Sequence, residues 1–166
     1  LQMAMLVKKE ISLSIDDIDI HEIIYRSIEN MSLKVDGKGG KIDMELAAER
    51  YEMTGDEVHL SNVISNLLDN ANKYSPENPQ IKVTTESDDK GIYITIADNG
   101  IGMNSEDIKM IFEKFYRVPT GNVHNIKGFG LGLTYVKAII DAHHGTIDVK
   151  SQLKKGSQFK LFLPLT

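Results

Sequence analysis

The chain has 166 residues, 41% of them hydrophobic and 26% charged, with no cysteine and a formal net charge of −5. Such a length suits one globular domain, which buries about two-thirds of its unfolded surface without covalent staples. The acidic balance argues against a nucleic-acid binder, the lack of cysteine excludes disulfides and thiolate metal sites and fits a reducing compartment, and no run reaches the ~18 apolar residues of a membrane-spanning helix.

Leu1 rather than Met opens the chain, and residues 1–10 (LQMAMLVKKE) are helix formers without a start signal. They are expected to be the last turns of a helix begun upstream, with 1–12 as remnant and linker and 13–166 as the domain. Residues 11–15 (ISLSI) alternate as a short strand does. Asp19 is placed to cap a helix over 20–33, whose Ile20, Ile23, Ile24, Ile28 and Met31 share a face. After the Asp36-Gly37 and Gly39-Gly40 turn signals, a strand is predicted near 41–47 and a short extended piece near 49–53. Gly55-Asp56 precedes a long helix to Ser75, stopped by Pro76. Strands at 80–86 and 91–97 form a hairpin around a polar turn, and a short helix follows at 104–111. Residues 117–128 lack periodicity and contain Pro119, Gly121 and Gly128, so they are expected to form a long functional loop. A helix over 131–143 and strands at 145–151 and 157–163 close the chain. Strands and helices in separate runs predict an α+β two-layer sandwich, with helices on one face of a mostly antiparallel sheet.

Three segments carry chemistry. On the helix 57–75, Leu60, Val63, Ile64, Leu67, Leu68 and Ala71 form the apolar stripe. Beside it Asn62, Asn66, Asn70 and Lys73 span about 80° of arc. Asparagine is a poor residue inside a helix, because its side chain competes for backbone hydrogen bonds. A solvated face would explain one such residue, not a row of them. The row fits a phosphate bound with a hard cation: the amide oxygen suits Mg2+, which keeps most of its waters, and lysine supplies a mobile charge. Asp98-Asn99-Gly100-Ile101-Gly102 follows the strand ITIA and, taken alone, is good turn chemistry. Lys127-Gly128-Phe129-Gly130-Leu131-Gly132-Leu133 sits where the loop meets a helix, and its alternating glycines let backbone N–H groups approach an anion. The spacing is neither a dinucleotide fingerprint nor a P-loop, and Gly39-Gly40-Lys41 reads as a hairpin turn.

Occurring in this order, the segments resemble the catalytic and ATP-binding domain of sensor histidine kinases, within the wider group of gyrase, heat-shock chaperone and mismatch-repair ATPases. The likeness covers about 20–166. NLLDNANKYS (66–75) is similar to the family's N box, DNGIG (98–102) to its first glycine box, FEKFYR (112–117) to its F box, GFGLGL (128–133) to its second glycine box, and GSQFKLFLP (156–164) to its closing strand. The resemblance implies a Bergerat-type fold, ATP and Mg2+. Asn66 and Asn70 would contact metal and phosphates, Asn70 as the direct ligand, with Lys73 on a phosphate and Tyr74 against the adenine. Asp98 would accept the adenine amino group, helped by a water shared with Ser157, with Gly100, Ile101 and Gly102 forming the turn beside the base. Residues 112–128 would be the lid, Arg117 reaching a phosphate, and Lys127, Gly128, Phe129, Gly130, Leu131, Gly132 and Leu133 would close on the phosphates. The sequence departs from the common pattern at Ser157, where threonine is frequent, and at Asn72, which is often apolar.

Chaperone-like members carry a glutamate one turn before the metal-binding asparagine, and Asn66 stands there in this sequence. An amide is no general base near neutral pH, which implies transfer of phosphate to another nucleophile rather than hydrolysis. The acceptor would be a histidine on a dimerisation hairpin. His21 precedes Glu22 but lacks the Arg-Thr-Pro continuation, His59 is expected to be solvated, His124 lies in the lid, and His143-His144-Gly145 reads as a helix end. The implied partners are that hairpin and a response regulator, with no nucleic acid. The isolated domain would be a monomer and the whole protein a homodimer, this part being the cytoplasmic domain of a bacterial membrane-bound sensor. The rival readings are a nucleotide-gated binding module of the anti-sigma-factor type and a degenerate domain that only scaffolds.

Overall fold

A computed structural model describes residues 11–113, 116 and 132–165. In chain order these form β1 (Asp16–Asp19), α1 (Ile20–Asp36), β2 (Lys41–Leu46), β3 (Glu52–Gly55), α2 (Glu57–Lys73), β4 (Gln80–Ser87), β5 (Gly91–Asp98), α3 (Ser105–Met110), α4 (Gly132–Ala142), β6 (Thr146–Gln152) and β7 (Gly156–Pro164). A five-stranded sheet runs in the order β2-β4-β5-β7-β6. Its β2–β4 pair is parallel and the other pairs are antiparallel. The expected α+β two-layer sandwich is therefore the fold. Among the described residues no helix is long and apolar enough to cross a membrane.

Period-two alternation decides which sheet face is covered. Ile81 and Val83 on β4, Ile92, Ile94 and Ile96 on β5, and Phe159, Leu161 and Leu163 on β7 are all buried. The helices meet this face with their own apolar stripes: Ile20, Ile23, Ile24, Ile28, Met31 and Val35 on α1, Leu60 to Ala71 on α2, and Tyr135, Val136, Ile139 and Ile140 on α4. Each fully buried Val, Leu or Ile contributes roughly 1.5–3 kcal/mol, so this layer carries the stability. Polar side chains set the helix starts. Asp19 accepts the Glu22 N–H at 3.0 Å, Asp56 accepts the His59 N–H at 3.0 Å, and Asn104 accepts the Asp107 N–H at 2.8 Å.

Two short strands sit away from their expected places. The strand expected at 11–15 forms at Asp16–Asp19, and the piece expected at 49–53 forms at Glu52–Gly55. They pair antiparallel, with Ile18 opposite Met53, both buried. The alternation of ISLSI is real, but Ile15 is 57% exposed, and a partner rather than a pattern fixes the strand. The pairing also sets Asp19 opposite Glu52, a like-charge juxtaposition that sequence preference would avoid. The expected helix over 1–10 lies outside the described residues.

His59 is buried, not solvated, and belongs to a polar hub between α2 and α4. Its Nδ1 lies 2.6 Å from the Tyr135 hydroxyl, which also accepts the Asn62 amide at 3.3 Å. Asp56 Oδ2 accepts the Ser14 N–H at 2.7 Å, while the Asp56 N–H donates to His143 Nε2 at 3.0 Å. His143 Nδ1 then donates to the Ile139 carbonyl at 2.8 Å, so its partners fix a neutral ring protonated at Nδ1. Beyond α4 the left-handed residue is His144, with φ 62°, rather than Gly145.

Burial pushes the Asp56 carboxyl up, but the N–H bonds from His59 and Ser14 more than offset it, leaving it below the usual value. A carboxyl lowered on folding stabilises above its unfolded pKa, and that stability is lost as pH falls through the folded value. Asp56→Ala is expected to cost about 1–3 kcal/mol at pH 7, since it removes a cap and leaves buried N–H groups unpaired. Urea denaturation of both proteins should show the gap narrowing below about pH 4, where the carboxyl of the unfolded chain takes up its proton while the folded one still resists. An unchanged gap at low pH would mean that the charge plays no part.

Candidate functional site

The site lies where the C-terminal end of α2 meets the end of β5. Tyr74 caps α2, and its carbonyl accepts the Ile101 N–H at 2.9 Å. That one bond fixes the turn 98–102 against the helix bearing the asparagines. The turn is held from the other side too, because the Lys154 N–H donates to the Ile101 carbonyl at 2.7 Å. Gly102 has φ +68°, and a Cβ there would stand 1.9 Å from the Gln152 carbonyl oxygen. A Cβ on Gly100 would stand 2.2 Å from the Tyr74 carbonyl oxygen. Both glycines are thus required by the approach of two neighbouring segments, a demand that the expectation of closeness to a base did not contain.

Asp98 is the carboxylate of this turn. Its Oδ1 accepts the Gly100 N–H at 2.8 Å and the Ser157 N–H at 3.2 Å. No described residue donates to its Oδ2. Burial pushes its carboxyl up to about 6, against the opposing pull of those two N–H bonds. Ser157 reaches Asp98 through its backbone. Its hydroxyl lies 2.7 Å from Ser151 Oγ, whose own proton goes to the Gly156 carbonyl at 3.0 Å. Ser157 is therefore the donor in that contact and keeps its acceptor capacity for a further partner. Ser151 also accepts the Met103 N–H at 2.8 Å, tying the strand pair β6–β7 to the far side of the turn. Gly156, with φ +107°, stands with its would-be Cβ 2.0 Å from the Asp98 carbonyl oxygen. Sequence reasoning quoted Gly156 only as part of a strand. Its place before Ser157 was the available signal.

On α2 the asparagine row divides. Asn62 turns to Tyr135 and belongs to the hub. Asn66 donates to the Asn62 carbonyl at 2.8 Å, and its Oδ1 would lie 3.2 Å from a Cβ on Gly132. Gly132 thereby lets the start of α4 come close to the Asn66 amide. Asn70 is half-buried, and its amide has no hydrogen-bond partner among the described residues. Lys73 Nζ lies 2.8 Å from Asp69 Oδ2. Leu133 is half-buried and packs against the core. Arg117, Lys127, Gly128, Phe129, Gly130 and Leu131 lie outside the described residues, as does His124. Two bonds hold the chain on either side of that segment: the Tyr116 hydroxyl donates to Asp107 at 2.5 Å, and Thr134 donates to the Phe112 carbonyl at 3.1 Å.

The donor set fits a magnesium nucleotide. One neutral amide oxygen suits a cation that keeps most of its waters and takes the rest of its ligands from phosphates. Among the described residues no group of three His, Asp or Glu side chains converges on a metal position. The Asp98 end offers a carboxylate oxygen without a donor among the described residues, beside a serine hydroxyl with spare acceptor capacity.

Comparison with known proteins places this arrangement. Residues 55–166 match the family described as histidine kinase-, DNA gyrase B-, and HSP90-like ATPase. Sensor protein RprX of Bacteroides fragilis is 45% identical over 99% of this chain, which spans 32% of that protein. The mycobacterial sensor histidine kinase MprB superposes with a TM-score of 0.76 at 28% identity, covering 91% of this chain and 97% of its own. Full-length ShkA, solved in complex with AMPPNP, superposes with a TM-score of 0.82 at 25% identity, covering 99% of this chain and 35% of its own. With the matching region spanning α2, the Asp98 turn and the closing strands, the chain belongs to the histidine kinase-, DNA gyrase B- and HSP90-like ATPase family.

Proposed function

We propose that this chain is the ATP-binding catalytic domain of a sensor histidine kinase, holding Mg-ATP for transfer of the γ-phosphate to a histidine on a dimerisation hairpin. The observation that carries the reading is the Tyr74–Ile101 bond at 2.9 Å, which sets a base-reading carboxylate at a fixed place relative to Asn66, Asn70 and Lys73. Asp98 accepts the adenine amino group on its open Oδ2, with Ser157 completing the polar edge. Tyr74 lines the base side. Asn70 would give its amide oxygen to Mg2+, Asn66 would support the phosphates, and Lys73 would take one of them. Magnesium, when bound, neutralises phosphate charge and orients the chain of phosphates. Lys127 to Leu131 and Arg117 would act from the lid. In the transfer the bond between the γ-phosphorus and the bridging oxygen breaks, ADP leaves, and a bond to the imidazole nitrogen forms.

Two features favour transfer over hydrolysis. The position for a water-activating glutamate holds Asn66, a neutral amide occupied with the Asn62 carbonyl. The acceptor is also placed outside the described residues: three of the four described histidines are held by partners, and the fourth, His144, stands exposed in the left-handed turn after α4 rather than on a helical hairpin. His21 stacks on Tyr51 at 4.7 Å and bonds Thr85 Oγ1 at 2.8 Å, and His59 and His143 are locked in the hub. The AMPPNP complex of ShkA supports nucleotide binding at this fold, and the sensor-protein relatives support a response regulator as the onward acceptor. A homodimer bearing the hairpin and a place inside the cell beneath a membrane sensor complete the proposal.

Asn70→Ala is expected to remove the magnesium dependence of ATP binding. Titrating a fluorescent ATP analogue with and without chelator checks it, and equal dependence in both proteins would remove Asn70 from the metal site.

Asp98→Asn is expected to erode the preference for ATP over GTP. An ionised carboxylate only accepts, and guanine presents a carbonyl where adenine presents its amino group. The wild-type preference should be roughly tenfold to several-hundredfold, since a bond to a charged group is worth about 1.5–3 kcal/mol. Competition binding of the two nucleotides measures it, and an unchanged ratio in folded Asp98→Asn would move the adenine elsewhere.

The same carboxyl predicts an opposite effect on stability. Its folded value of about 6 exceeds the ordinary 3.8, so its contribution is full at low pH and is lost as pH rises through about 6. Without nucleotide, Asp98→Asn should therefore melt above wild type at pH 8, with the two converging toward pH 4. ATP affinity of the wild type should fall below about pH 6, where protonation removes an acceptor. Melting curves and ATP titrations between these limits test both, and a variant less stable than wild type at pH 8 would contradict the account.

A further inference from the structure

Lys73 does not stand free beside Asn70. Its ammonium pairs with Asp69 at 2.8 Å, and the two side chains are only 35% and 33% exposed, so water screens the pair incompletely. At 100° per residue Asp69 and Asn70 flank Lys73 on opposite sides, about 40° and about 60° away. The lysine therefore lies toward one flank while the proposed metal and phosphates occupy the other. A carboxylate N-terminal to a lysine by four residues is the favourable order for a helical ion pair, which makes Asp69 an effective competitor.

A second cation stands near the same carboxylate. Lys38, in the turn between α1 and β2, is half-buried and donates to the Asn72 carbonyl at 2.6 Å, one turn along from Asp69. Burial draws its ammonium below the usual value, and the charge of Asp69 partly restores it. Lys38 is thus held on the helix end by a bond that does not involve Asp69, yet it feels the charge of that residue.

We infer that Asp69 is a positioning residue that competes with the nucleotide phosphates for Lys73, and that Lys38 remains as its counter-ion when Lys73 moves to a phosphate. The inference rests on the proposal that Lys73 is a phosphate ligand. It makes the affinity for the charged end of the nucleotide adjustable without touching the adenine pocket. Removing the competing carboxylate frees the lysine, whereas removing Lys38 leaves Asp69 with Lys73 as its one cationic partner among the described residues and tightens its hold.

Calorimetric titration with magnesium-ATP, magnesium-ADP and adenosine tests this on wild type, Asp69→Asn, Lys73→Met, Lys38→Met and the two double variants carrying Asp69→Asn. Melting curves establish that each is folded. Asp69→Asn should bind ATP and ADP roughly three- to fivefold tighter, the scale of a partly screened ion pair, and bind adenosine as wild type does. In the Lys73→Met background the same change should give less than half that gain. Lys38→Met should weaken ATP by about twofold, and adding Asp69→Asn should abolish that loss. An equal or larger gain in the Lys73→Met background would show that Asp69 acts as a general negative charge and would overturn the inference alone. Weaker ATP binding by Asp69→Asn, or an equal shift for adenosine, would overturn it as well. Lys73→Met binding ATP like wild type would instead remove the phosphate ligand itself, and the inference with it.

Discussion

Burying the Asp98 carboxylate is costly, and the fold offsets that cost with two backbone N–H groups drawn from separate segments. One comes from the turn after β5 and the other from the start of β7, both to the same oxygen. The second oxygen is left as an acceptor with no described donor, in surroundings that push the group up to about 6. A fully satisfied carboxylate would be inert and a fully solvated one would discriminate poorly. The intermediate state leaves one oxygen able to accept a further donor. The turn that presents it is tied to α2 through the Tyr74 carbonyl and to the β6–β7 turn through the Lys154 N–H, with the Ser151 hydroxyl as a further tie, so backbone bonds fix where Asp98 stands relative to the asparagines of α2.

Helix α2 serves three neighbours at once. One face fills the core, another meets α4 through Asn62, His59 and Tyr135, and the last carries Asn66, Asn70 and Lys73. At its N-terminus, Asp56 joins Ser14, near the entry of the chain, to His143 at the exit of α4. Helix α2 is therefore braced at both ends by polar contacts to distant parts of the sequence. Ser75 Oγ and Asn72 Oδ1 are buried there without a partner among the described residues, and Asn72 is one of the positions where the sequence leaves the common family pattern.

What the sequence made legible was local. The helix starts at Asp19, Asp56 and Asn104 could be read because a capping side chain acts within three residues. The hairpin β4–β5 was readable because its alternation and its turn are contiguous. The β1–β3 ribbon was misplaced because its partner lies 36 residues away and its outer face opposes two acids. His59 was misjudged for the same reason, since its bond to Tyr135 crosses 76 residues. The helical wheel gave Asn62 the right azimuth and the wrong neighbour, because a wheel does not show which helix packs alongside. The Asp69–Lys73 pair had a legible spacing, but its consequence needed the position of Lys38.

The glycines in and beside the Asp98 turn carry a genetic consequence. A Cβ at Gly100, Gly102 or Gly156 would meet a backbone carbonyl oxygen at 2.2, 1.9 or 2.0 Å, and a backbone cannot step aside as a long side chain can. Every non-synonymous single-base change of a glycine codon that leaves an amino acid installs a Cβ. At these three codons a gene has no gradual route to another residue, and a mutagenesis library that randomises them together spends almost all its members on proteins that cannot close this turn. Diversity is better placed at the side chains around the turn than at these three glycines.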